Sequence, residues 1–96
     1  MRKKNAQSLK DIMEELVVEQ NLDTRLNEMQ LISIWPEVTG KVIGNYTTNL
    51  FVRNRVLYVS LSSSVVRSEL QMHRKKLIEL LNVKTGADVI DQIIFR

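Results

Sequence analysis

Few residues in this sequence are of a type that does covalent chemistry. There is one histidine, His73, and no cysteine, which removes disulfides, thiolate nucleophiles and any metal centre built on His/Cys ligands. His73 falls at helical spacing with Val66, Leu70, Leu77, Leu80 and Leu81. That position predicts a partly buried structural histidine rather than a catalytic one. Glu14 and Glu15 are neighbours, and adjacent helical residues point about 100° apart, which does not suit a carboxylate pair acting on one bond. Ser62-Ser63-Ser64 has no Gly-x-Ser-x-Gly frame and reads as a set of helix caps. Thr39-Gly40-Lys41 lacks both the earlier glycine and the trailing hydroxyl of a phosphate-binding loop. No enzyme, metal, cofactor or small-molecule substrate is expected from this inventory.

The cations carry more information. Arg67, Gln71, Arg74 and Ile78 recur at i, i+4, i+7 and i+11, a stripe beside the apolar face, with Lys75 close to it and Lys76 pointing away. Arg53 and Arg55 flank a turn and extend the same surface if the fold brings them alongside. Separated cations that each neutralise a phosphate are what a nucleic acid requires. Tyr58 and Phe51 supply stacking surfaces for bases if their strand face is open. The competing reading is a solvated helix face whose Lys and Arg stems cover the edge of the core.

Charge is divided unevenly along the chain. Residues 1–37 carry five Lys/Arg against seven acids, and residues 38–96 carry nine against four. The expectation is a basic face for a polyanion, DNA first and RNA as the alternative, and an acidic face for a protein. Asp11, Glu14, Glu15 and Glu19 supply the acidic face. A protein-interaction module without nucleic-acid affinity is the rival.

The elements that position these groups follow from periodicity. Residues 1–7 read as a flexible basic arm, and Ser8 with Asp11 forms a capping box. Leu9, Ile12, Met13 and Leu16 make the stripe of a first helix ending near Gln20-Asn21. A second helix carries Leu22, Leu26, Met29, Leu31 and Ile34. Pro36 is expected to end it and begin a short third helix, stopped by Gly44 in a left-handed conformation, with Trp35 anchoring the core at the corner. Thr47 to Arg53 and Arg55 to Leu61 alternate as a β-hairpin with Asn54 near its turn. One long helix then runs through Leu81, Asn82 to Ala87 form a loop, and Asp88 to Arg96 form the closing strand. The order is α-α-α-β-β-α-β, an α+β domain over residues 8–96 with a three-stranded sheet packed on helices.

Composition sets the outer bounds. Ninety-six residues, 44% apolar and 26% charged, fit one folded domain. No apolar run reaches the ~18 residues of a membrane span, so no membrane partner is expected and a cytoplasmic location is.

The ordered string is more specific than its parts. Trp35-Pro36-Glu37-Val38-Thr39-Gly40 is followed by Tyr46-Thr47 and by Val56-Leu57-Tyr58-Val59-Ser60-Leu61-Ser62-Ser63. Arg67-Ser68-Glu69-Leu70, Leu80-Leu81-Asn82 and Ile93-Ile94-Phe95-Arg96 come after. This pattern, over roughly residues 8–96, resembles the DciA-like family, and the short form with a basic start is similar to versions from Bacteroidetes-type bacteria. The resemblance implies a K-homology-like fold, binding to DNA and to the DnaB-type replicative helicase, and promotion of helicase loading. By position, Arg67 and Glu69 fall in the family's helix motif, and Trp35 and Gly40 mark its packing core. Two departures bear on the transfer. The sequence stops at Arg96, without the tail that longer members use, and Gly40 and Gly44 are spaced Gly-x-x-x-Gly, not as the Gly-x-x-Gly loop of K-homology domains.

Overall fold

The computed structural model describes the backbone of residues 9–96 and side chains from Leu22 onward. The expected basic arm, the Ser8–Asp11 capping box, and the side chains of Glu14, Glu15 and Glu19 lie outside the described residues. Seven elements follow in order: α1 (Leu9–Thr39), α2 (Lys41–Tyr46), β1 (Thr47–Arg53), β2 (Val56–Leu61), α3 (Ser64–Met72), α4 (Arg74–Thr85) and β3 (Gln92–Phe95). The class is α+β, with helices packed on a three-stranded mixed sheet.

The first two expected helices and the start of the third are one continuous helix of 31 residues. Asn21 and Asp23 are poor helix formers but cost only about 0.7 kcal/mol each, too little to end a helix that has other support. Pro36 lies in the last turn of α1, so its missing N–H affects only the carbonyl of Ile32. A proline inside a helix costs about 3 kcal/mol, and burial of Leu31, Ile34 and Trp35 just before it offsets this at about 1.5–3 kcal/mol each. The residue that breaks the chain is Gly40, with φ +97°, a left-handed conformation that glycine adopts without a steric penalty. Gly44 is not the stop expected of it. It sits inside α2, where an added Cβ would lie 3.7 Å from the Pro36 Cβ.

β1 and β2 form the expected antiparallel hairpin, with Phe51 opposite Tyr58 and Arg53 opposite Val56. Asn54 (φ 52°) and Arg55 (φ 65°) both take left-handed conformations, the two-residue turn whose twist suits a hairpin. β3 is shorter than expected and pairs parallel to β2, with Tyr58 opposite Ile94. The sheet order is β1-β2-β3. Alternation sends Leu57, Val59, Leu61, Ile93 and Phe95 into the core with Leu31, Trp35, Leu70, Leu77, Leu81 and Ile90.

The expected single helix after the hairpin is two. Ser63 caps α3, its Oγ accepting from the Val66 N–H at 3.3 Å. The helix then breaks at His73, whose backbone departs to φ −110°, ψ 17°. His73 is exposed, not core-facing, and Leu80 is 40% exposed. The i, i+3, i+4 spacing that put both on the apolar stripe assumed an unbroken helix, and the elbow turns His73 out. α4 continues through the segment expected as a loop and ends at Gly86, a left-handed cap with φ 81°.

Candidate nucleic-acid interface

Each candidate cation occupies a distinct setting. Arg74 and Lys75 open α4 directly after the elbow, with Lys76 beside them, and all three are exposed. Arg74 Nη1 donates to Gln71 Oε1 at 3.3 Å. None of the three forms an ion pair with a described residue. The first turn of α4 contains no acid, and its backbone N–H groups have no side-chain cap. Cations at a helix N-terminus oppose the helix dipole, and here the C-terminus of α3 adjoins them at the same elbow.

Arg67 lies on α3 and is half-buried. Its Nη2 donates to the Leu61 carbonyl at 3.2 Å, and its Nε is buried without a partner. The guanidinium thereby ties the end of β2 to the helix that follows it.

Arg55 is bound elsewhere. Its Nη2 lies 3.2 Å from Asp88 Oδ2 and its Nε donates to Asp91 Oδ2 at 3.3 Å. Nη1 donates to the Asp88 carbonyl at 2.9 Å, and the Arg55 carbonyl accepts from the Asp91 N–H at 2.9 Å. Hydrogen bonds to Asp91 and then Asp88 raise its pKa above the ordinary arginine value. Arg55 is a clamp that seats the segment leading into β3. Arg53, exposed at the end of β1, carries no such partner among the described residues.

The fold does not draw these residues into one stripe. Arg55 holds the loop after α4, whereas Arg74 begins α4. Twelve residues at about 1.5 Å each separate the two settings by about 18 Å.

Three features escaped the sequence reading. Asn82 on α4 secures the loop before β3: its Oδ1 accepts from the Val89 and Ile90 N–H groups at 3.0 and 3.1 Å, and its Nδ2 donates to the Ile90 carbonyl at 2.8 Å. Trp35 is legible as a core anchor, but its Nε1 bond to Thr47 Oγ1 at 3.1 Å, which ties α1 to β1, is not. On the sheet face away from the core, Phe51 and Tyr58 stack with centroids 4.7 Å apart and planes 12° from parallel. The Arg96 guanidinium carbon lies 5.3 and 5.2 Å from those two centroids.

Among the described residues no cluster of three or more His, Asp or Glu is disposed to hold a metal. No described helix is long and apolar enough to cross a membrane.

Compared with known families, residues 8–95 match the model described as Dna[CI] antecedent, DciA. The chain belongs to the DciA family. Membership links it to DNA replication and to the DnaB-type replicative helicase, whose loading is the family's task. No curated protein matches it. The residues that carried the DciA resemblance have identifiable physical roles: Trp35 is 1% exposed in the core, Gly40 supplies the break after α1, and Asn82 holds the loop before β3. Glu69, in the family's helix motif, is exposed on α3.

Proposed function

We propose that this DciA-family chain is a non-enzymatic, cytoplasmic adaptor that holds DNA beside the replicative helicase. The observation that carries the DNA half is the unneutralised run Arg74-Lys75-Lys76 at the α3–α4 elbow, three exposed cations beside uncapped helix N–H groups. Such a surface takes phosphates without reading base sequence. Arg74 and Lys75 are the direct contacts, Arg53 adds a cation at the hairpin, and Arg55 and Arg67 hold the surface in shape. Glu14, Glu15 and Glu19, in the sequence of α1, are the acids assigned to the helicase. The K-homology-like label implied by the family suits the observed αα-ββ-αα-β order.

Fluorescence anisotropy with a labelled oligonucleotide over a salt series tests this reading. Replacing Arg74, Lys75 and Lys76 together by Ala is expected to weaken binding and to flatten the log K against log salt slope by about 2–3 units. An unchanged slope refutes the elbow as the phosphate site. Pull-down of the cognate helicase by wild type, lost on Glu14/Glu15/Glu19→Gln, tests the acidic surface.

A further inference from the structure

We infer that the free edge of β1 pairs with the same edge of a second copy of this chain, joining two sheets about a two-fold axis, independently of the DNA-binding reading. β1 lies at one end of the sheet. Bonds inside the sheet fix which of its backbone groups are left over. The Arg55 and Val59 carbonyls accept from the Asp91 and Arg96 N–H groups, and the Leu61 N–H donates to the Arg96 carbonyl. Odd residues of β2 therefore face β3, and Val56 and Tyr58 face β1. Their opposites, Arg53 and Phe51, direct their N–H and C=O groups to β2. Leu50 and Val52 consequently aim theirs away from the sheet, and neither bonds to another backbone segment among the described residues.

This segment is its own complement. An antiparallel copy centred on Phe51 sets Leu50 opposite the partner's Val52. Such a pair exchanges two N–H···O bonds, and the axis makes the pair twice, so every outward group of Leu50 and Val52 is satisfied. The side chains of both pairs are apolar. On the outer face Arg53 meets the partner's Asn49, whose amide oxygen can accept from the guanidinium, and no like charges stand opposite. Sliding the register two residues either way sets Leu50 against the turn residue Asn54, or Val52 against Thr48 in the bulge.

The helix beside this edge is also uncovered. Leu22, Leu26 and Met29 of α1 are 55%, 53% and 65% exposed. With Ile32, Phe51 and Val52 they line an open cavity of about 470 Å³. α1 packs on the inner side of the sheet through Leu31 and Trp35, so joining the two edges brings the two stripes toward each other. Arg25 and Glu28 border the cavity with opposite signs, and antiparallel stripes can pair them across the axis. A lone peptide strand would satisfy the backbone of β1 but leave the stripe in water. A second copy supplies a strand and a helix together. The pairing closes at two copies, because β3, the remaining edge, has only four residues and short edge strands resist further addition.

Sedimentation velocity of the full chain tests this, from about 1 μM to about 1 mM, the span of weak to moderate dissociation constants. Wild type is expected to pass from monomer to dimer within that range. Asn49→Lys, at an exposed position, sets a second cation opposite Arg53. Because the axis repeats the pair, it is expected to weaken the dimer about 2- to 30-fold, and Asn49→Glu to tighten it by a similar factor. Leu26→Lys, on the exposed stripe, is expected to weaken it at least about tenfold. Circular dichroism checks that each variant folds. A wild type still monomeric at about 1 mM overturns the pairing and leaves the edge to a strand from another protein. Shifts of the same sign for Asn49→Lys and Asn49→Glu overturn it as well, and a dimer insensitive to all three variants is joined elsewhere, which also overturns it.

Discussion

Replacing Asn82 by Ala removes the side chain on which the placement of β3 depends. Its amide makes three hydrogen bonds to the backbone of Val89 and Ile90, at 3.0, 3.1 and 2.8 Å. Ile90 is fully buried and Val89 nearly so, so truncation leaves two N–H groups and one carbonyl in a segment that cannot turn to solvent without lifting those side chains out of the core. An unsatisfied buried backbone group costs about 1–3 kcal/mol. Asn82 is itself half-buried, and water entering from its exposed side recovers part of this, which puts the three groups together at about 3 kcal/mol. For a domain of this size each kcal/mol moves Tm by about 4–8 °C, giving a depression of roughly 12–24 °C. Urea denaturation followed by circular dichroism measures the loss. Val83→Ala, at an exposed position on the same helix, is the control and should stay within about 0.5 kcal/mol. Hydrogen exchange adds a local readout, because the Val89 and Ile90 amides should lose protection before the rest of the sheet. A loss below about 1 kcal/mol, with those amides still protected, refutes the assignment of Asn82 as the organiser of this loop.

Arg67→Ala should cost about 2 kcal/mol through the lost bond to the Leu61 carbonyl and the lost packing of its stem. Lys at the same position, without the planar fork, should recover less than half of this in urea denaturation. Unchanged stability with abolished DNA binding would instead make Arg67 a direct contact. Two glycines should respond in opposite senses. Gly40→Ala forces an L-residue to φ +97° and should lose about 1–2 kcal/mol. Gly44→Ala places its methyl in ordinary contact with Pro36 inside α2 and should gain about 0.5–1 kcal/mol; thermal melts of the two variants decide both.

What could be read from the residues was whatever depended on local pattern. The hairpin was legible because Leu57, Val59 and Leu61 alternate with Val56, Tyr58 and Ser60, and because Asn54 tolerates the left-handed turn. The Ser63 cap and the burial of Trp35 followed from residue type and place. Where the reading failed, nonlocal energy decided. Proline in the last turn of α1 and proline starting a new helix look alike in sequence, and only the burial of Leu31, Ile34 and Trp35 separates them. Val66, Leu70, His73 and Leu77 fit an unbroken helix as well as a broken one, so the elbow left no periodic trace. Among the candidate cations, Arg74 and Lys75 are as exposed as their spacing suggested, while Arg55 and Arg67 found partners. Asp88 and Asp91 lie 33 and 36 residues from Arg55, and the Leu61 carbonyl has no signature in residue type.

Those two internal commitments reshape the electrostatic field. Composition alone spreads nine cations over residues 38–96, with Arg53 and Arg55 making the hairpin turn look as positive as the elbow. In the fold, Arg55 faces two carboxylates at 3.2 and 3.3 Å, so its charge is neutralised locally and that cluster has one negative charge in excess. The elbow keeps all three of its cations, and the outer sheet face keeps Arg96. The separation of about 18 Å along α4 exceeds a Debye length of about 8 Å at physiological salt, so the elbow's potential is not cancelled by the carboxylates at the other end. The two ends of α4 therefore differ in charge, and Arg55 at the hairpin turn contributes to the geometry of β3 more than it contributes charge.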